Sequence, residues 1–267
     1  MSHFRTLEVS HPKFESNGLR CITVKSPALK RRADITLFVP EEAEGKTDLP
    51  LAILLHGVYG SHWNWTMVGG AHQVAGRLIK EEEIQPIALA MPSDGLWGDG
   101  SGYLQHADAD YEKCIVEEVP QATREVEPSV TVGSRLFICG LSMGGFGALR
   151  LGAKYPQRFA AISGHSSITR FDQMKDFVEE PLDLYGLSQS EESSVIHWMR
   201  NNKEDLPPIR FDCGTEDSLL EANRTLDREL TAEGIEHAYE EFPGAHSWEY
   251  WHDHLRDSLI FFDRHLR

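Results

Sequence analysis

Short, continuous apolar runs alternate along the chain with longer stretches whose apolar residues recur every three or four positions. The short runs predict strands at 19–24, 34–39, 51–55, 87–91, 136–139, 160–163, 209–213 and 238–242. The longer stretches predict helices at 71–82, 108–127, 144–155, 219–233 and 247–265. In the last of these, Trp248, Trp251, Leu255, Leu259 and Phe262 form one apolar stripe that faces a core. The first two strands are close enough for an antiparallel pair. From Leu51 onward each gap is long enough for a crossover helix, and Leu51-Ala52-Ile53-Leu54-Leu55 has the unbroken apolarity of a strand buried on both faces. The pattern therefore predicts an α/β protein with a mostly parallel sheet of about eight strands and helices on both faces.

No repeat, low-complexity tract or Pro/Gly/Ser-rich linker interrupts the pattern, so residues 1–267 are expected to form a single domain. About 45 residues separate the strand ending near Ser163 from the one starting at Ile209, more than one crossover needs. Helical patterns at 171–179 and 191–201 fall in this gap, and the segment 164–208 is a candidate small cap or lid, with two plain packing helices as the alternative.

Acidic residues outnumber basic ones, 42 to 26, for a formal net charge of −16. That balance argues against nucleic acid or an anionic membrane as a partner. No stretch approaches the ~20 apolar residues of a membrane span, and the polar start Met1-Ser2-His3-Phe4-Arg5 lacks a signal-peptide core. Four scattered cysteines suit small core residues better than disulfides. A cytoplasmic protein is expected, and its oligomeric state stays open, a homo-oligomer included.

The chemistry begins at Leu136-Phe137-Ile138-Cys139-Gly140-Leu141-Ser142-Met143-Gly144-Gly145, an apolar strand running through Gly-x-Ser-x-Gly into a helix of small residues. On so tight a turn the serine is strained, its hydroxyl is exposed at the sheet end, and a helix N-terminus beside it favours negative charge. A serine hydroxyl needs a base held by an acid. Asp217, past the strand 209–213 and its Gly214 turn, is the preferred acid; Glu216 is its rival, and Asp212 lies inside the strand. His246, after Phe242-Pro243-Gly244 and before the last helix, is the candidate base. His252 and His254 lie further along that helix as solvated or packing residues, and no ligand set for a metal accompanies them. The N–H groups of Met143 and of Val58, in Leu54-Leu55-His56-Gly57-Val58-Tyr59-Gly60, are candidate donors to an oxyanion, with His56 expected to hold that loop in shape. Trp63, Trp97 and Tyr103 are candidates to line a substrate pocket, core packing being the alternative.

Together with Met91-Pro92-Ser93-Asp94-Gly95, Tyr155-Pro156-Gln157-Arg158-Phe159, Gly214-Thr215-Glu216-Asp217 and Gly244-Ala245-His246-Ser247-Trp248, these motifs resemble one α/β-hydrolase esterase family from about Arg32 to the C-terminus. It groups tributyrin-type carboxylesterases, S-formylglutathione hydrolase (esterase D), feruloyl and siderophore esterases, and mycolyltransferases. The resemblance implies an α/β-hydrolase fold, no cofactor, a small-molecule ester substrate, and Ser142, Asp217 and His246 as the triad. Leu141 stands where the S-formylglutathione hydrolases resemble one another in having His. The mycolyltransferases usually use Glu where this chain has Asp217. A carboxylesterase for short acyl chains is therefore expected, since the charged segment 164–208 offers no apolar lid. An acyltransferase on the same acyl-enzyme is the alternative, followed by an S-formylglutathione hydrolase or a feruloyl or acetyl-sugar esterase. A non-catalytic binding module would have a broken triad.

Overall fold

The computed structural model describes residues 2–186 and 193–266. Nine strands, β1 (Leu7–Val9), β2 (Leu19–Lys25), β3 (Arg32–Phe38), β4 (Leu51–Leu55), β5 (Ala88–Pro92), β6 (Leu136–Leu141), β7 (Ala161–His165), β8 (Ile209–Gly214) and β9 (Ala238–Phe242), form one sheet. Its order is β1-β2-β3-β5-β4-β6-β7-β8-β9. β1, β2, β3 and β5 pair antiparallel, and every pairing from β5 through β4 to β9 is parallel. The early hairpin and the parallel body follow the sequence pattern. β1 was not legible, because three residues are too few to establish an alternation.

The helices are α1 (Asn64–Met67), α2 (Ala71–Lys80), α3 (Tyr111–Lys113), α4 (Val119–Val126), α5 (Met143–Lys154), α6 (Val195–Asn201), α7 (Leu220–Ala232) and α8 (Trp248–Arg264). They cover both faces because a buried strand sends alternate side chains to opposite sides. Leu51, Ile53 and Leu55 of β4 join the core under α4 to α7, whereas Ala52 and Leu54 join a second core under α2 and α8. The stripe of α8 lies in that second core through Trp251, Leu255, Leu259 and Phe262.

The helix expected over 108–127 is divided. It starts at Tyr111, capped by Asp110 Oδ1 accepting the Lys113 N–H at 2.9 Å, and widens into a π-helical turn over Cys114–Glu118 before α4. Pro120 lacks the N–H that an α-helix would donate there, and the wide turn directs the buried Glu118 carboxylate to the Ala28 N–H at 2.8 Å. Residues 171–179 are shorter than expected as well. A 3₁₀ turn spans Phe171–Asp176, with the Gln173 side-chain oxygen accepting the Thr169 and Arg170 N–H groups at 2.9 and 3.2 Å. Within the expected helix 191–201, α6 begins at Val195, and residues 191 and 192 lie outside the described residues.

Candidate active site

β6 ends at Leu141 and α5 begins at Met143, so Ser142 alone makes the turn between them. Its φ of 55° and ψ of −118° lie in a region that residues with a Cβ rarely adopt. The small neighbours permit this. A Cβ on Gly140 would meet the backbone of Gly144 and Gly145, and one on Gly144 would meet the Leu55 and His56 carbonyls. The turn can therefore close directly against β4, and the Ser142 side chain stands at the carboxyl end of the sheet.

Two further loops at that end bring in the candidate acid and the candidate base. His246 Nε2 lies 3.1 Å from Ser142 Oγ, and His246 Nδ1 lies 2.9 and 3.1 Å from Asp217 Oδ2 and Oδ1. The Asp217 side chain is fully buried and also accepts the Leu219 N–H at 2.8 Å. Burial by itself raises the Asp217 pKa; the hydrogen bond and charge of His246 and the Leu219 N–H outweigh it, so the carboxyl stays below its ordinary range. Glu216, the rival carboxylate, is exposed, and its N–H goes to the Gly244 carbonyl at 2.9 Å.

The loop after β4 is held from below and from the side. His56 is buried, with Nδ1 2.7 Å from the Gly57 carbonyl and Nε2 accepting the Asp94 N–H at 3.3 Å, so it ties this loop to the one after β5. Asp94 in turn accepts the Ser101 N–H at 2.7 Å. Gly102 N–H reaches Met143 Sδ at 3.4 Å, and a Cβ on Gly100 would collide with the same sulfur, so the glycines of 98–102 let this loop pass close over the start of α5. Among the described residues, the N–H groups of Val58 and Met143 have no partner within the protein.

Residues 26–262 match the family described as putative esterase. The chain belongs to this esterase family. An acetyl esterase of Caldicellulosiruptor saccharolyticus is 26% identical over 264 residues, covering 89% of this chain and 95% of that protein. The iron(III) enterobactin esterase of Escherichia coli K12 is 24% identical over 142 residues, 53% of this chain and 34% of that one. Among solved structures, a ferulic acid esterase superposes with a TM-score of 0.79 at 24% identity, covering 97% of this chain and 99% of that one. An S-formylglutathione hydrolase of Agrobacterium tumefaciens gives 0.80 at 20% identity over the whole of both chains. These two likenesses show the α/β-hydrolase fold.

The rings that pack on His246 are not the ones expected at the pocket. Phe177 stacks on His246 with centroids 5.8 Å apart, and Trp251 meets the same imidazole edge-on at 4.9 Å. Neither was singled out for the site in the sequence. Phe177 read only as part of the helical pattern expected at 171–179, and Trp251 only as part of the core stripe. Tyr103, expected at the pocket, is fully buried: its ring packs on His56 and Gly147, and its hydroxyl donates to the His56 carbonyl at 3.0 Å. It supports the loop from beneath. Trp97 packs edge-on against His106 and Tyr185, and Trp63 is exposed at the start of α1.

The described part of the expected cap is strapped to these loops. The Tyr59 hydroxyl donates to the Phe177 carbonyl, Asp99 Oδ2 accepts the Glu179 N–H at 2.8 Å, and the Tyr185 hydroxyl donates to the Gly100 carbonyl at 2.7 Å. A cavity of about 730 Å³ opens within this segment, between Arg170, Leu182, Ile196 and Arg200, and Ser142 is not among its lining residues. His252 and His254 have structural partners, the Gly69 carbonyl at 2.8 Å and Asp257 at 3.0 Å. Among the described residues no three His, Cys, Asp or Glu side chains converge as a metal site, and no helix is long and apolar enough to cross a membrane.

Proposed function

We propose that this esterase hydrolyses carboxylic esters of short acyl chains through an acyl-enzyme on Ser142, with His246 as general base and Asp217 as the acid that orients it. The observation carrying this reading is the unbroken chain of contacts from Ser142 Oγ through both nitrogens of His246 to the buried Asp217 carboxylate. As Ser142 Oγ attacks the ester carbonyl carbon, its proton passes to His246 Nε2. Asp217 keeps the Nδ1–H tautomer and balances the imidazolium. The carbonyl oxygen becomes an oxyanion, facing the N–H groups of Val58 and Met143. Collapse breaks the bond to the alcohol oxygen, which takes the proton from His246. Water then attacks the acyl-enzyme with the same base and releases the acid.

Three features support short acyl chains. Phe177 and Trp251 crowd the imidazole, the strap from Tyr59 to Phe177 holds one wall in place, and the full-length relative is an acetyl esterase. The resemblance in the sequence points the same way. The reaction is tested with p-nitrophenyl esters from acetyl to octanoyl, using Ser142→Ala as the blank. kcat/KM is expected to peak between acetyl and butyryl and then drop, because each fitted methylene adds ~0.8 kcal/mol while one driven against the wall costs binding. Values still climbing at octanoyl overturn the chain-length reading. A Ser142→Ala variant that keeps its activity overturns the nucleophile. Products analysed with an added acceptor alcohol distinguish hydrolysis from acyl transfer.

A further inference from the structure

We propose that the buried carboxylate of Asp212, gripped by His165 on one side and Tyr250 on the other, is a positioning group that sets the nucleophile turn and the His246 loop at their working separation. This inference rests on the roles proposed above for Ser142 and His246.

The two loops leave the sheet from β6 and β9, with β7 and β8 between them. Their direct link is one 3.1 Å contact between side chains. A second, deeper connection runs through the backbone and Asp212. The Ser142 N–H donates to the His165 carbonyl at 2.9 Å, so the strained turn hangs on the last residue of β7. The His165 ring is fully buried; its Nδ1 lies 2.8 Å from Asp212 Oδ2, and its Nε2 lies 2.8 Å from Ser258 Oγ of α8. Asp212 is its register partner on β8. The other oxygen of the carboxylate, Oδ1, accepts the Tyr250 hydroxyl at 2.8 Å. Tyr250 lies in the first turn of α8, four residues past His246, and its ring backs the loop: a Cβ on Gly244, where φ is +141°, would lie 2.7 Å from Tyr250 Cδ2. One carboxylate thus has one oxygen on the serine side and the other on the histidine side.

Arg210 pairs with the same Asp212 and with Glu240 at 3.0 Å, so the buried charge is balanced without touching the reacting atoms. A carboxylate placed only to anchor β8 would need no tyrosine reaching it from the helix that follows the catalytic loop. Rigid bodies joined by two connections keep their separation better than bodies joined by one, and a displacement of about 1 Å at a reacting pair costs up to ~10²-fold in rate.

Tyr250→Phe removes the hydroxyl and keeps the ring against Gly244. Its kcat for a short p-nitrophenyl ester, and the rate at which a fluorophosphonate labels Ser142, are both expected to fall roughly tenfold, with KM within about twofold of wild type. Tyr250→Ala should show the same kcat defect with an added loss of stability. A Tyr250→Phe enzyme with a lowered Tm but wild-type kcat and labelling rate would mean that the hydroxyl serves stability alone, and the proposal fails. Labelling of the wild-type protein at Ser142 is the control: if that is missing, the reading of Ser142 fails first, whatever Tyr250 does.

Discussion

Phe177 stacks on the imidazole of His246 with ring planes 28° apart, and its own carbonyl is held by the Tyr59 hydroxyl. A ring from the segment between β7 and β8 therefore covers the proposed general base, next to the loop that carries Val58. Phe177→Ala should open this wall. The ratio of kcat/KM for a hexanoyl ester over an acetyl ester is expected to rise by roughly tenfold, the gain from burying about two further methylenes. An unchanged chain-length profile would show that the limit on acyl length is set elsewhere.

Asp217→Asn should reduce kcat by roughly 10⁴-fold, because an amide stabilises the wrong imidazole tautomer and cannot balance the imidazolium. The fold should survive, since the Asn carbonyl can still accept the Leu219 N–H that Asp217 Oδ1 holds at 2.8 Å. Glu216→Gln should stay within about twofold of wild type, as the Glu216 side chain is exposed. Steady-state kinetics and circular dichroism on the two variants check both statements, and reversed effects would identify Glu216 as the acid.

Gly144→Ala should destabilise the protein by about 3 kcal/mol, the upper end of over-packing costs, because its Cβ would be driven into the Leu55 and His56 carbonyls. Gly76→Ala is the control. Its Cβ would meet only Phe38 Cζ at 3.9 Å, in the interior of α2, where Ala is better than Gly by up to ~1 kcal/mol. Urea unfolding should separate the two in opposite directions.

Stability should also depend on pH through His165. Burial alone lowers its pKa, but the Asp212 carboxylate beside it raises it to about 10. Arg210, Tyr250, Ser258 and Cys139 complete its surroundings, and Asp212 itself is held well below the usual carboxylate range. A raised folded pKa gives stability that is fully present below the unfolded value of about 6.5 and is lost as pH climbs toward the folded one. The unfolding free energy of the wild type should therefore fall between pH 6.5 and about 10 more steeply than that of His165→Gln. Parallel curves for the two proteins would mean that His165 is not charged in the folded state. Asp212 contributes in the opposite window, above about pH 4, and that contribution is lost on acidification.

The residues that reveal themselves in sequence do so through local constraints. The Gly140-x-Ser142-x-Gly144 turn is legible because only glycine fits where Gly140 meets the start of α5 and Gly144 meets the end of β4. Asp217 and His246 are legible because each follows a parallel strand at a Gly turn, and β4 is legible because burial on both faces leaves an unbroken apolar run. The mostly parallel sheet with helices on both faces follows from the same local patterns, whereas the strand order β1-β2-β3-β5-β4-β6-β7-β8-β9 comes from the tertiary structure. What only the tertiary structure decided depends on residues distant in the chain. Phe177 reaches His246 because the segment after β7 folds back over the sheet end, which the helical pattern expected at 171–179 does not reveal. Tyr103 and Trp97 look like pocket residues in a glycine-rich loop, yet the loop turns them inward onto His56 and His106. Asp212 reads as a stray carboxylate inside a strand. Its meaning appears only when β7 sets His165 on one of its oxygens and α8 sets Tyr250 on the other, because a buried charge must be paired and its partners come from wherever the fold brings them.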